Sequence, residues 1–324
     1  MATAILKRAA GDPPRTARRV RRRNPKLPVW QEQPSLATQG AKAGTIVVIL
    51  ALVAFPLYTI ALTSFSTQSS INIAGGLVVW PHELTLDAYK LIVQGGVVGR
   101  ALVISLAITV AGTALSMVVT ILASYGLSRS GSFGHKTILW FMMITMFFSG
   151  GIIPLFLVVS ALGGYDQYWA LIAPSAVSVF NIIVMRTFFM NIASELIESA
   201  RIDGANEWTI LWRIVLPASK AVTAVIALFY AVGYWNSWFN ILLFMPSDSA
   251  KWPLQMVMYS YVTQGMAMPG SAATSTGHAV GATQVAPLSL QMAVVTLTVI
   301  PVLIVYPFVQ KHFTKGVLVG AIKG

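Results

Sequence analysis

The sequence contains no cysteine and little charge. None of the 324 residues is Cys and only 10% are charged, whereas soluble domains carry roughly 25% charged residues. The absence of cysteine excludes a disulfide framework, a thiolate metal site and a cysteine nucleophile. The shortage of charge, together with 56% hydrophobic residues, excludes an ordinary soluble domain. Recurrent apolar runs longer than about 18 residues indicate helices that span a membrane.

Three kinds of chemical site are also missing from the sequence. No Gly-x-x-x-x-Gly-Lys-Ser/Thr loop occurs, so the usual motif for holding nucleotide phosphates is absent. The four histidines have no paired spacing, so no metal site is predicted. No carboxylate lies inside a predicted span, so an acidic proton relay has no residues to use. A pump built on this chain would need an energy source in another subunit.

Six membrane spans are predicted, and the fold class is therefore an all-α integral membrane protein. The spans cover about 44–65, 101–127, 137–160, 168–190, 221–245 and 288–310. They form one membrane domain, residues 41–324, which follows a basic arm, residues 1–40. In the third span, Ser149-Gly150-Gly151 and Pro154 predict a bend or a break.

The positive charges predict the orientation of the spans. If the amino terminus is cytoplasmic, all of the 22 Lys and Arg residues except Lys90, Arg100 and Lys251 lie on the cytoplasmic side. Both termini and residues 195–217 are then cytoplasmic. The arm fits anchoring on anionic lipid, with a specific protein partner as the alternative. In a soluble protein the net charge of +12 would suggest a nucleic-acid partner, but with this topology no nucleic-acid partner is expected.

The long charged segment between the fourth and fifth spans is predicted to form a helix-turn-helix. Ser194 is expected to cap a first helix of about 195–203, and Gly204 to end it with left-handed backbone. Asn206 is expected to cap a second helix, which Pro217 ends. The second helix is expected to present one apolar face, consisting of Trp208, Leu211, Trp212 and Val215. From these features alone, a passive amphipathic connector on the membrane surface is as good an interpretation as an element moved by a cytosolic partner.

Residues in this segment resemble a known motif. Glu198-Ser199-Ala200, Asp203-Gly204-Ala205 and Ile214-Val215-Leu216-Pro217 are similar, in sequence and spacing, to the Glu-Ala-Ala loop of permease subunits in binding-protein-dependent ABC importers. Ser199 replaces the first alanine of that motif. The resemblance implies that the segment is a coupling helix that docks into a cleft on an ATPase subunit. The residues that it implicates are Glu198, Ala200, Asp203, Gly204, Ala205, Leu216 and Pro217.

The carboxyl terminus carries a second resemblance. Lys315–Gly324 is similar to the tail of maltose-type permeases and their oligosaccharide-importing relatives, which reaches into the ATPase pair. The resemblance implies ATPase contacts for Gly316, Gly320 and Lys323, and a frayed terminus is the alternative. On overall likeness of residues 45–324, the chain also resembles the permease of an alginate (polyuronate) importer.

The resemblance implies a fold, a location and a set of partners. The fold would be the type I permease fold of ABC importers, multi-pass in the cytoplasmic (inner) membrane. The partners would be a second, similar permease, two ATPase subunits that bind ATP and Mg, and an extracytoplasmic solute-binding protein. The chain itself would be no enzyme and would hold neither cofactor nor metal. A secondary carrier or channel without an ATPase is the alternative, and a membrane enzyme is disfavoured because clustered His, Asp or Glu residues are absent outside 195–207.

Two long segments are predicted on the outer side, at about 66–100 and 246–287. The first contains Trp80-Pro81-His82-Glu83-Leu84, a pattern similar to the same permease class, and is expected to dock the binding protein. The second is rich in Gly, Ala, Ser and Thr near 265–285 and is expected to be disordered in the free state.

Aromatic and amide side chains recur every four residues in the fifth span. Aromatic faces stack on the C–H faces of sugar rings, and amides pair with hydroxyl groups, so this pattern suits a hydroxyl-rich solute. The predicted pathway residues are Tyr230, Tyr234, Trp235, Asn236, Trp238 and Asn240, with Asn181 in the fourth span as a weaker candidate. The alternative is an interfacial aromatic belt packed against neighbouring helices.

Overall fold

The computed structural model describes residues 36–129, 131, 133–264 and 286–321. Within these ranges the chain is helical, and the one element of β structure is an isolated bridge between Ser66 and Leu84. The predicted all-α class is confirmed. The arm before residue 36, the segment 265–285 and Lys323 lie outside the described residues.

Fifteen α-helices are described, and short 3₁₀ and π segments extend some of them. The α-helices are α1 (Leu36–Ser64), α2 (Gln68–Ala74), α3 (Asp87–Gly95), α4 (Val97–Ser128), α5 (His135–Phe147), α6 (Ile152–Ala161), α7 (Trp169–Ile172), α8 (Val179–Met190), α9 (Ser194–Ile202), α10 (Glu207–Ile210), α11 (Leu216–Ala218), α12 (Lys220–Trp235), α13 (Phe239–Phe244), α14 (Leu254–Met258) and α15 (Pro287–Ala321). The 3₁₀ turns are Ala173–Ser175 and Ser249–Lys251, and the π-helical segments are Leu211–Val215 and Tyr259–Thr263.

The chain divides into two units, Met1–Pro56 and Leu57–Gly324. In the first unit the described residues belong to α1, and their large apolar side chains, such as Leu52 and Val53, are exposed. The second unit contains the remaining helices and the buried hydrophobic clusters.

Three described helices are individually long and apolar enough to cross a membrane: residues 37–64 of α1, all of α4, and residues 287–307 of α15. Three bent pairs could also cross, which gives up to six spans. The bends are 116° between α5 and α6, 50° between Trp169–Ser175 and α8, and 86° between Glu207–Ala218 and α12. The fifth predicted span differs from the structure, because α12 ends at Trp235 and a separate helix, α13, starts at Phe239.

The predicted break in the third span is confirmed. Residues 148–151 separate α5 from α6, and Gly151 has a φ of 83°, which strongly favours glycine. Ser149 Oγ accepts a hydrogen bond from the Gly151 backbone N–H at 3.2 Å. The break therefore follows the glycine pair, and Pro154 lies inside α6.

Helix α4 is the centre of the second unit and packs on α8, α12 and α14. Its buried residues include Ser105, Gly112, Ser116, Thr120 and Ser124, which share a face of the helix. Small side chains let neighbouring helices approach closely in a membrane protein. At Gly112 the approach is so close that a Cβ atom would lie 2.8 Å from the Tyr234 ring on α12.

The segment after α1 is folded back and held by polar contacts. Thr63 Oγ1 accepts a hydrogen bond from the Val78 N–H at 2.8 Å, and Ser64 Oγ lies 2.8 Å from Tyr89 Oη. The Tyr89 ring also stacks on Phe65 with centroids 4.9 Å apart. Trp80 remains 77% exposed, so the segment combines a fixed backbone with an exposed aromatic side chain.

Candidate functional site

The coupling element, defined here as Ser194–Ala218, begins with α9. Ser194 is the first helical residue and Ala193 occupies the cap position without a side-chain hydrogen bond, so the prediction that Ser194 caps the helix is wrong. The reason is that the chain enters helical geometry one residue earlier than expected. Ile197 is 6% exposed and anchors α9 in the main core, the buried hydrophobic cluster that also contains Tyr125, Leu211 and Tyr230. Glu198 and Asp203 are exposed.

The turn between the two helices agrees with the prediction. Gly204 has a φ of 80°, and its N–H bonds to the Arg201 carbonyl at 3.0 Å. The next N–H, of Ala205, bonds to the Ala200 carbonyl at 2.9 Å. Asn206 caps the second helix, because its Oδ1 accepts from the Thr209 N–H at 2.8 Å. Glycine ends one helix and asparagine starts the next, as predicted.

The second helix differs from the predicted one in its face and in its end. Leu211 and Val215 are each 1% exposed, whereas Trp208 and Trp212 are 60% and 57% exposed. Leu211–Val215 is π-helical, and the wider π turn separates Trp212 from Val215 more than an α turn would, whereas Trp208 lies before this segment in α10. The two tryptophans therefore do not share the buried face. Pro217 does not end the run, because α11 places it in a first turn, where its missing N–H costs little.

The predicted coupling residues divide between two sides of the element. Glu198, Asp203, Gly204 and Pro217 are exposed. Ala200, Ala205 and Leu216 are partly buried against the main core. The element thus presents an exposed surface that bears carboxylates, and it is attached to the bundle through small and branched apolar side chains.

Two of the predicted pathway tyrosines form interhelical hydrogen bonds inside the core. Tyr230 Oη lies 2.7 Å from Thr120 Oγ1 and accepts from the Ser178 N–H at 3.2 Å. Tyr234 Oη lies 2.9 Å from Ser116 Oγ and donates to the Ile172 carbonyl at 3.1 Å. Each hydroxyl connects α12 to α4 and to the α7–α8 region, so these tyrosines fix the packing of the bundle.

The remaining pathway candidates lie at different depths. Trp235 is 6% exposed and its Nε1 donates to the Thr298 carbonyl at 3.3 Å, and Asn181 is 5% exposed. Trp238 is 37% exposed and stacks on Tyr259 at 4.5 Å. Asn236 is exposed, and its Nδ2 donates to the Val232 carbonyl at 3.0 Å.

The expected four-residue repeat stops where α12 ends. Trp238 and the partly buried Asn240 lie beyond the end of α12, at the cap and in the first turn of α13. The prediction that Tyr230, Tyr234 and Trp238 share one helical face is therefore wrong for Trp238.

A groove of about 830 Å³ lies between α4, α12 and α15. Its lining is mainly apolar and includes Leu106, Val110, Trp235 and Val302. Thr109 and Thr113 also line it, and both Oγ1 atoms are buried without a hydrogen-bond partner in the described part of the chain. The groove is an open apolar surface on the helix bundle.

The tail and the histidines add no described site. Gly316 and Gly320 belong to α15, which continues to Ala321. Among the described residues, no group of three or more His, Cys, Asp or Glu side chains could hold a metal ion.

Comparison with known proteins identifies the family. The model of the family described as "Binding-protein-dependent transport system inner membrane component" matches residues 116–319, which include the coupling element and most of the core. The chain belongs to this family. The resemblance found in the Glu-Ala-Ala loop is confirmed, and the chain is an inner-membrane permease component of an importer.

Curated relatives match the permease over almost their whole length. The polygalacturonan/rhamnogalacturonan transport system permease protein YtcP of Bacillus subtilis (strain 168) is 41% identical over 87% of this chain and 96% of the relative. Protein LplC of the same organism is 42% identical over 85% of this chain and 90% of the relative.

A solved structure shows the same fold. It is a bacterial ABC transporter involved in the import of the acidic polysaccharide alginate. The match has a TM-score of 0.78 at 27% identity and covers 87% of this chain and all of the other. The predicted permease fold is thereby confirmed.

Sequence reasoning missed the hydrogen bond that joins the permease's coupling element to α4 and the ion pair beside it within the element. Tyr125 Oη donates to Glu207 Oε2, and Arg201 Nη2 donates to Glu207 Oε1 at 2.7 Å. Tyr125 and Glu207 are 82 positions apart, so no local pattern connects them. The one available signal was Glu207 itself, a carboxylate in the first helical turn, which is ordinary at that position.

Proposed function

We propose that this permease forms half of the membrane path for an oligosaccharide rich in uronic acids, in an importer driven by ATP hydrolysis on separate subunits. One observation carries the proposal. A close sequence relative is named for polygalacturonan and a solved structure of the same fold for alginate, and both of these polysaccharides are acidic. These two names support an acidic oligosaccharide as the class of substrate.

The proposed assembly contains a second, similar permease, two ATPase subunits that bind ATP and Mg, and an extracytoplasmic binding protein. The exposed carboxylates Glu198 and Asp203, which both precede the turn at Gly204, support docking of an ATPase on the coupling element. The family description itself names dependence on a binding protein. Exposed Trp80 and Ile73 on the fixed outer segment support docking of that protein.

In the proposed orientation both termini are cytoplasmic, and the chain has no nucleotide site of its own. Helix α4 then runs inward from Val97 to Ser128. Its inner end meets the coupling element through Tyr125, in agreement with a cytosolic position for both. Binding and release of ATP by the partner subunits would tilt the attached helices between two packings.

The outer cations differ in their availability to an acidic sugar. Lys90 Nζ pairs with Asp87 at 2.9 Å, and Lys251 Nζ pairs with Asp248 at 3.4 Å. Arg100, in the first turns of α4, is exposed and has no ion-pair partner among the described residues. A guanidinium binds a carboxylate with two parallel hydrogen bonds. Arg100 is therefore the outer residue best placed to meet a uronate.

For the path itself we propose the exposed or partly exposed candidates Asn236, Trp238 and Asn240, near the end of α12 and in α13. Their amide and aromatic groups remain accessible to a sugar. The buried Tyr230 and Tyr234 would shape the path indirectly, through their bonds to α4.

The test of this function is uptake in proteoliposomes that contain the permease with its partner permease, ATPases and binding protein. We expect uptake of labelled trigalacturonate or an alginate trisaccharide to require internal ATP, and a neutral trisaccharide such as maltotriose to be poorly transported. Uptake that needs neither ATP nor the binding protein would instead show a secondary carrier. Equal uptake of the neutral and acidic sugars would refute the substrate class.

The coupling role has its own test. We expect Glu198→Lys to abolish ATP-driven uptake and to weaken copurification of the ATPase, since it reverses the charge on the exposed side of α9. Normal ATPase binding and uptake by the Glu198→Lys variant would contradict the role of this surface.

A further inference from the structure

Glu207 lies where three helices meet. It is the first residue of α10, and its Oε1 accepts a hydrogen bond from Arg201 on α9 at 2.7 Å. Its Oε2 accepts a hydrogen bond from the Tyr125 hydroxyl, near the inner end of α4. One carboxylate therefore joins both sides of the Gly204 turn to a membrane helix that is distant in sequence.

Tyr125 is itself held firmly in place. The residue is 9% exposed and packs in the main core. Arg129, one helical turn further along α4, donates to Tyr125 Oη at 3.0 Å, and its guanidinium lies 4.8 Å from the centre of the ring. The hydroxyl accepts from a cation and donates to an anion, an arrangement in which each hydrogen bond strengthens the other.

The carboxylate is in the charged form that this arrangement needs. The Tyr125 hydrogen bond, followed by the Arg201 hydrogen bond, holds the pKa of Glu207 below its usual value, against the opposing effect of desolvation. At neutral pH Glu207 is therefore ionised and both of its oxygens accept hydrogen bonds.

The polypeptide connects the coupling element directly to α8 and α12, and not to α4. The element runs from α8 through residues 191–193 and into α12 through Ser219, where the helices meet at 86°. Helix α12 contacts α4 through Tyr230 and Tyr234, but these bonds lie about three and four turns away from the junction. Among the described residues, the hydrogen bond from Tyr125 to Glu207 is the polar contact that joins the second helix of the element directly to α4.

We propose that the hydrogen bond from Tyr125 to Glu207 fastens the coupling element to α4, so that the element and the inner end of α4 move as one body during transport. Both are positioning residues, since they act through each other and need not touch the ATPase or the sugar. This inference rests on the proposed function, because the coupling element moves only in an ATP-driven importer.

The test measures the ratio of sugar transported to ATP hydrolysed in the reconstituted importer. Tyr125→Phe removes the hydroxyl and keeps the ring, and Glu207→Gln keeps the shape and removes the charge. We expect each variant to lower the ratio several-fold while ATPase binding remains normal, and the double variant to be no worse than either single one. Tyr165→Phe is the matched control, because it removes a hydroxyl 3.2 Å from Ser247 Oγ in an exposed outer contact.

A cross-link separates fastening from a merely structural role. Because the chain contains no cysteine, Tyr125→Cys/Glu207→Cys can be bridged with a short bismaleimide when the partner subunits are also cysteine-free. We expect the unbridged pair to be uncoupled and bridging to restore the ratio. Should Tyr125→Phe fail to assemble, the exposed Glu207→Gln variant and the cross-link still decide the question.

Two outcomes would overturn the inference: unchanged ratios in Tyr125→Phe and Glu207→Gln, or a cross-link that stops uptake because the two residues must separate. Either result in an importer whose unmodified form is ATP-driven would leave the proposed function intact. Uptake by the unmodified importer without ATP would instead remove the proposed function, independently of the variants.

Discussion

Replacing Gly112 with alanine should loosen the packing of α4 on α12. The new Cβ would lie 2.8 Å from Cε2 and Cζ of Tyr234 and 2.9 Å from Cδ2, distances shorter than any relaxed contact. The ring cannot easily move aside, since its hydroxyl is bonded to Ser116 and to the Ile172 carbonyl. Overpacking of this kind costs about 1–3 kcal/mol.

The matched control for this change is Gly126→Ala. Gly126 lies on the same helix, and a Cβ there would meet nothing within 4 Å. Both changes share the gain in helix propensity, about 1 kcal/mol for Gly to Ala, so that gain cancels when the two variants are compared. Gly112→Ala is then expected to be less stable than Gly126→Ala by about 1–3 kcal/mol.

The assay is thermal unfolding of the purified permease in detergent. After heating at each temperature, size-exclusion chromatography measures the fraction of protein that remains folded. A second comparison places Gly112→Ala in a Tyr234→Ala background, where the ring is absent and the added methyl group should cost little. Equal midpoints for Gly112→Ala and Gly126→Ala would show that the helices separate without cost at this point. A full cost in the Tyr234→Ala background would show that the ring is not its cause.

Three further results are expected. Gly204→Val should reduce ATP-driven uptake, because a β-branched residue is strained at a φ of 80°, and copurification of the ATPase would measure the loss of docking. Arg100→Gln should raise the concentration of trigalacturonate needed for half-maximal uptake and leave maximal ATP hydrolysis unchanged, and an unaltered dependence would exclude Arg100 from recognition. The Glu207 contact should not change with pH across the neutral range: a carboxyl whose pKa is lowered contributes stability above its usual pKa and loses it as pH falls through the lowered value. Transport per ATP should therefore be constant between about pH 8 and pH 6, and a decline within that range would contradict this assignment.

The local features of the coupling element could be predicted from the sequence. Gly204 and Asn206 act through their own backbone and the next few residues, so a single sequence is sufficient to place the turn and the second cap. The broken third span follows in the same way from its glycine pair. Long apolar runs determined the helical class, because the membrane leaves few other structures possible.

The features that sequence reasoning missed depend on geometry that has no local signal. The π-helical segment at Leu211–Val215 separates Trp212 from the buried Val215, and Trp208 is also exposed, although an α-helical projection had grouped all of them. The end of α12 at Trp235 interrupted an apparently regular aromatic repeat. The partners of Tyr230 and Tyr234 lie 110 and 118 positions away, at Thr120 and Ser116, and only the folded bundle brings them together.

The π-helical segment has a consequence for how this permease tolerates change in length. A π turn holds one residue more than the α turn that it replaces, so the coupling element contains a local insertion between its exposed surface and α12. Deletion of one residue within Leu211–Val215 would let the segment relax to an α-helix. Since one α turn would take the place of one π turn, the surface that bears Glu198 would keep its direction relative to α12. The coupling surface can therefore keep its direction when this turn gains or loses one residue, and related permeases can be compared by the length of this segment as well as by its composition.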